Sequence, residues 1–136
     1  MSKYIFVDWA GDAGFQFKQG SSPLLVIACV FVSNYESIQS GAADLIKQRG
    51  LSKAFVFHYA KLPDQLREAF AQATIQMEFT ANVAVIEKKR LARVFTRMKG
   101  LELVNYFIAE NIARARREQI ADAIVVMDGA WRNQRA

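Results

Sequence analysis

The sequence predicts an α/β domain: a mixed β-sheet of about five strands with helices packed on its faces. Three observations predict it. Apolar runs of strand length alternate with segments of helical spacing, in the order β-β-α-β-α-β-α-β. The chain has 136 residues, the size of one domain spanning 1–136. It is 52% hydrophobic and 23% charged, so it can fill a core, and disorder throughout is excluded.

Residues 3–8 (KYIFVD) are apolar and β-rich and read as a buried strand. Residues 9–20 hold three glycines and no helical period, so they form a turn or extended loop. Residues 24–32 (LLVIACVFV) are a continuous apolar run rich in branched side chains, which favours a central strand. The connection between these two runs is too short for a crossover helix, so they pair as an antiparallel hairpin. Ser33 and Asn34 offer N-cap oxygens to a helix over 35–49, and Gly50 closes it. A third strand is expected over 55–59 (FVFHY), then a helix from Pro63 through about Ile75. Residues 79–86 (FTANVAVI) read as a fourth strand. A short helix near 91–98 follows, and Gly100 breaks or bends it. Leu101, Val104, Ile108, Ile112 and Ala115 form one stripe of a helix over 101–118. Residues 123–127 (AIVVM) are the fifth strand, left by an Asp128-Gly129 turn. The sheet ends on an apolar strand with no closing helix, so an oligomer or partner chain is expected to cover its open end.

One cysteine, Cys29, excludes a disulfide scaffold and a cysteine-based zinc site and suits a reducing compartment. The longest apolar run, residues 23–32, is about half of a membrane span, and the start does not read as a signal peptide. A cytoplasmic setting with no membrane partner is expected. The formal charge is +5, and all of it lies in residues 87–119, where nine basic residues face four acidic ones. Such a basic stretch attracts nucleic acid phosphates, with Lys88, Lys89, Arg90, Arg93 and Arg97 as the candidate contacts. The same residues also fit an ordinary solvated face.

Asp8 and Asp128 each follow a strongly apolar run, IFV and IVVM. Carboxylates at strand ends stand at the rim of a sheet, where α/β proteins commonly place ligands. If the two strands are neighbours, Asp8 and Asp128 converge as a hard-oxygen metal site suited to Mg²⁺ or Mn²⁺. Asp12 lies on the glycine-rich loop, placed to join them or to close an Asx-turn before Gly14. With His58 as an acid or phosphate contact and Lys61 as a point charge for phosphate, the set Asp8, Asp12, Asp128 and His58 outlines a catalytic centre for phosphodiester cleavage.

Three segments together, YIFVDWAGDAGF, GSSPLLVIACVF and FVFHYAKLPDQLREAF, resemble the domain of unknown function 3800 family, and VAVIEKKRL, LVNYFIAENI and IVVMDG continue the likeness over nearly the whole chain. The resemblance implies a ribonuclease H-like fold and a metal-dependent nuclease activity, in a family found near phages and mobile elements. The chain departs from the family's pattern. Trp9 and Ala10 replace the glutamate and serine of the opening motif, and Val56 stands where a glutamate is common. The family's further strand and helix after the Asp-Gly turn are missing, so the domain is expected to lack its C-terminal strand and helix. The expected function is therefore a metal-dependent nuclease-like domain. Its alternative is a catalytically degenerate or truncated member that binds nucleic acid or protein.

Overall fold

The computed structural model describes residues 2–127. The fold is mixed α/β. Its elements are β1 (Tyr4–Ala10), β2 (Leu24–Val32), α1 (Tyr35–Gln48), α2 (Asp64–Ile75), β3 (Thr80–Glu87), α3 (Arg93–Thr96), α4 (Glu102–Ala113), α5 (Arg117–Ile120) and β4 (Ile124–Met127). Short 3-10 turns occupy Phe17–Gln19, Tyr59–Lys61 and Lys88–Arg90. The described sheet has four strands, not five, in the order β3-β2-β1-β4. β1 pairs antiparallel with β2, β2 antiparallel with β3, and β1 parallel with β4.

Strand alternation puts two different faces on this sheet. Ile5 and Val7 of β1, Leu25, Ile27, Cys29 and Phe31 of β2, and Ile86 of β3 point to one side. There they meet Leu103, Val104 and Ile108 of α4, whose i, i+1, i+5 spacing gathers them on one helix face. Leu25, Ile27, Cys29 and Leu103 have no exposed surface, and full burial of a leucine stabilises by roughly 1.5–3 kcal/mol. Burial also raises the Cys29 thiol's pKa, so this cysteine is inert packing. Asn111 of α4 is buried among these residues. It donates to the carbonyls of Ile27 and Asn82, both at 3.2 Å, and so fixes α4 across β2 and β3.

On the opposite face, Tyr35 of α1 packs against the rings of Tyr4 and Phe6. α1 packs against α2. α1 begins as the sequence requires, with the Asn34 side chain accepting from the Ser37 amide. It ends at Gly50, whose φ of +62° closes the helix.

Two elements differ from the sequence expectation. Residues 55–59 are not a strand. Phe55 packs edge-on against Phe57, and Phe57 packs tilted against Phe70 of α2. The alternating aromatics serve a helix surface and take no part in a strand ladder. The helix expected over 101–118 ends at Ala113, because Arg116 adopts an extended backbone (φ −67°, ψ 145°) and starts α5. This break turns the chain toward β4, and Gln119 of α5 donates to Thr80 at the start of β3 (2.6 Å). Among the described residues, no helix is long and apolar enough to cross a membrane.

Candidate functional site

The strand registers place one rim of the sheet. Ala10 of β1 lies opposite Val26 of β2, and Leu24 of β2 opposite Glu87 of β3. The end of β1, the start of β2 and the end of β3 therefore share an edge. The parallel β1–β4 ladder runs from Tyr4 opposite Ile124 to Val7 opposite Met127, so β4 ends toward the same rim. The loop 11–23 and the basic turn Lys88–Arg90 stand there, whereas Asp8 lies deeper along β1, level with Ala28 of β2 and so with Val83 in the middle of β3.

Asp8 is exposed and lies within β1, two residues before its end, not at its terminus. Its Oδ1 accepts the Trp9 amide at 2.9 Å. The side chain shares its face with Tyr4 and Phe6, away from α4. Asp128, its expected partner, lies outside the described residues.

Asp12 and Lys88 form the most constrained part of the rim. The Lys88 side chain has no exposed surface. Its ammonium donates to Asp12 Oδ1 (2.9 Å), to the Asp12 carbonyl (2.9 Å) and to the Gly14 carbonyl (2.6 Å). The rings of Phe15 and Phe17 lie 5.7 and 5.6 Å from it. All three donors of the ammonium are satisfied, as a buried cation requires. The Asp12 carboxylate also accepts the Gly14 and Ser22 amides, each at 2.9 Å. The Ser22 amide, then the Lys88 ammonium and the Gly14 amide, hold its carboxyl at about 2.

Two expectations change here. The sequence groups Lys88 with Lys89 and Arg90 as a phosphate contact, yet Lys88 faces inward and is committed to the loop. Strand parity explains this: Asn82, Ala84 and Ile86 take the α4 side of β3, and position 88 continues that series. Asp12 closes the Asx-turn before Gly14 and balances Lys88, so its carboxylate is committed within the loop. Lys88 as a structural cation is the residue that sequence reasoning missed, and the parity of the preceding strand was the signal for it.

The remaining basic residues stay at the surface. Lys89 is exposed with its ammonium 5.3 Å from the Phe17 ring. Arg90 is exposed and pairs with Glu87 at 2.9 Å. Arg93 opens α3 and Arg97 closes it, both exposed. These four cations lie in the turn after β3 and in and just after α3.

His58 and Lys61 stand at the two ends of the 3-10 turn before α2. Both are exposed in the segment leading to α2. Arg67 of α2 donates to the carbonyls of Tyr59 and Ala60, each at 3.0 Å, and covers the Tyr59 ring at 5.2 Å. That arrangement fixes the turn carrying His58 and Lys61 to α2. Among the described residues, no hydrogen bond or ion pair joins either side chain to Asp8 or Asp12.

The donor set can be tested against a divalent cation. Among the described residues, no three His, Cys, Asp or Glu side chains lie close enough together to hold one. With Asp12 committed to Lys88, Asp8 remains as the uncommitted aspartate of β1 and the following loop, and its expected partner Asp128 lies outside the described residues. Compared with protein-family models, curated proteins and solved structures, the chain finds no match.

Proposed function

We propose that this rim binds nucleic acid phosphates, and that the chain is a ribonuclease H-like domain of the domain of unknown function 3800 type with a reduced acidic centre. One observation carries the reading. The Asp12 carboxylate is neutralised by buried Lys88, while Lys89 and Arg90 stand exposed in the turn after β3 and Arg93 and Arg97 stand exposed in and just after α3. Exposed Lys89, Arg93 and Arg97 enter no ion pair among the described residues and favour anions, whereas Arg90 shares its charge with Glu87 and Asp12 is committed to Lys88. An antiparallel β3-β2-β1 meander with β4 parallel to β1 is compatible with a ribonuclease H-like sheet.

Neutral substitution of Lys89, Arg93 and Arg97 together is expected to weaken binding of a single-stranded oligonucleotide by at least about 10-fold at low salt. The slope of log affinity against log salt should shrink by about 2, since each single-strand phosphate contact contributes roughly 0.7. Fluorescence anisotropy across a salt series reads both quantities. An affinity and slope equal to those of the unaltered protein would sink the proposal.

A second reading, metal-dependent phosphodiester cleavage, is favoured by the β1–β4 ladder. Val7 and Met127 are in register, and the next residues of the two segments are Asp8 and Asp128. Under this reading, cleavage of labelled DNA or RNA appears only with added Mg²⁺ or Mn²⁺. It disappears in Asp8→Asn, which still binds the oligonucleotide. A protein that binds but never cleaves leaves the first reading standing alone.

A further inference from the structure

β3 forms one border of the sheet, and its outer side meets no strand among the described residues. Border strands are normally protected by proline, lysine, a bulge or an inward charge, because their free amides and carbonyls template further pairing. The eight residues of β3, TANVAVIE, contain neither proline nor lysine, and their register with β2 is unbroken from Thr80 to Glu87. Val83 and Val85 are 62% and 60% exposed on the face away from α4. On the α4 side, a groove of about 810 Å³ runs along residues 81–86, walled by Phe95, Tyr106 and Phe107. This border is shaped to receive an extended strand.

The charges beside it indicate which strand. Asn111 binds the Asn82 carbonyl and so holds α4 against the middle of β3. Glu110 and Arg114, one helical turn apart on either side of Asn111, line the same groove. Among the described residues they form no ion pair with each other. A two-fold axis through the middle of β3 reverses the order of these charges. The acid of one molecule then faces the base of the other, twice.

We propose that a second copy of this chain adds its β3 antiparallel to this border. Ala84 would sit on the axis, and Val83 would lie across from the partner's Val85. The register keeps both α4 helices on one side of a continuous eight-stranded sheet, with the small Ala84 side chain where they approach. It covers Val83 and Val85 of both molecules and joins Glu110 to the partner's Arg114. Such a contact is isologous, so every favourable pair occurs twice and the assembly closes at two. It does not depend on nucleic acid binding.

Sedimentation velocity over a concentration series tests this on the full chain. The unaltered protein is expected to reach twice the monomer mass. Val85→Lys, a change at an exposed position, is expected to halve that mass while leaving the circular dichroism spectrum unchanged. Glu110→Arg should weaken the dimer, and Glu110→Arg combined with Arg114→Glu should restore it. A single-chain mass at every concentration overturns the proposal. So does a dimer indifferent to Val85→Lys, or a charge-swapped double variant that does not regain the dimer.

Discussion

Lys88→Met is expected to destabilise the fold by about 2–4 kcal/mol, although methionine keeps most of the side chain's volume. The loss comes from what is left behind. The carbonyls of Asp12 and Gly14 lose a donor at a site with no exposed lysine surface, and each unsatisfied buried acceptor costs about 1–3 kcal/mol. The Asp12 carboxylate contributes less. Its side chain is 48% exposed and retains water, which screens the lost charge pair. Urea unfolding measures the difference, and a Lys88→Met protein as stable as the unaltered one would show that the ammonium holds nothing. The same lock predicts an acid dependence. Asp12 titrates at about 2 in the fold, below its ordinary 3.8. A depressed carboxyl stabilises the native state fully above the unfolded value, and that contribution fades as pH falls from about 3.8 through about 2. Asp12→Asn has nothing to titrate there, so its stability should fall less steeply over that window. Equal acid slopes for the two proteins would contradict the assignment.

Gly11→Ala is expected to cost about 3–5 kcal/mol, near the upper end for a single small substitution. Gly11 has φ +96°, a region that L residues rarely adopt, and a Cβ added there would stand 2.3 Å from the Leu24 carbonyl oxygen. That oxygen belongs to backbone at the start of β2, so it cannot swing aside as a flexible side chain does. Gly20 provides the control. Its φ is +98°, but a Cβ there meets nothing within 4 Å. Gly20→Ala should therefore pay only the conformational cost, about 1–2 kcal/mol. Thermal unfolding of the two variants separates strain from collision. Equal losses would show that the close approach of Gly11 to β2 is not a determinant of stability.

What the sequence disclosed followed from local patterns. The apolar run 24–32 became β2 with the same limits, and Asn34 with Gly50 bounded α1 because capping chemistry is short-range. The hairpin of β1 and β2 was legible because a connection of a dozen or so residues leaves few alternatives. Long-range pairing was harder to read. The FVFHY segment has strand-like alternation, yet whether it joins a ladder depends on Phe70, which draws Phe57 onto α2. The stripe through Ala115 suggested one long helix, and the break at Arg116 reflects the need to return to the sheet, which periodicity does not encode. At the candidate site, the loop 11–23 and the basic turn share a rim through strand register, whereas the turn that follows His58 is tied to α2 by Arg67. A run such as KKR looks uniformly solvated, and only the alternation of β3 separates inward Lys88 from outward Lys89.

The position of β1 in the sheet has a consequence during synthesis. β1 precedes the other described strands, yet its parallel neighbour β4 begins at Ile124, and the seal on its hairpin tip waits for Lys88. A growing polypeptide therefore carries a hydrophobic ribbon whose outer flank stays open until β4 has been made. Contacts this distant along the chain form late, and an open flank can anneal to another nascent strand first.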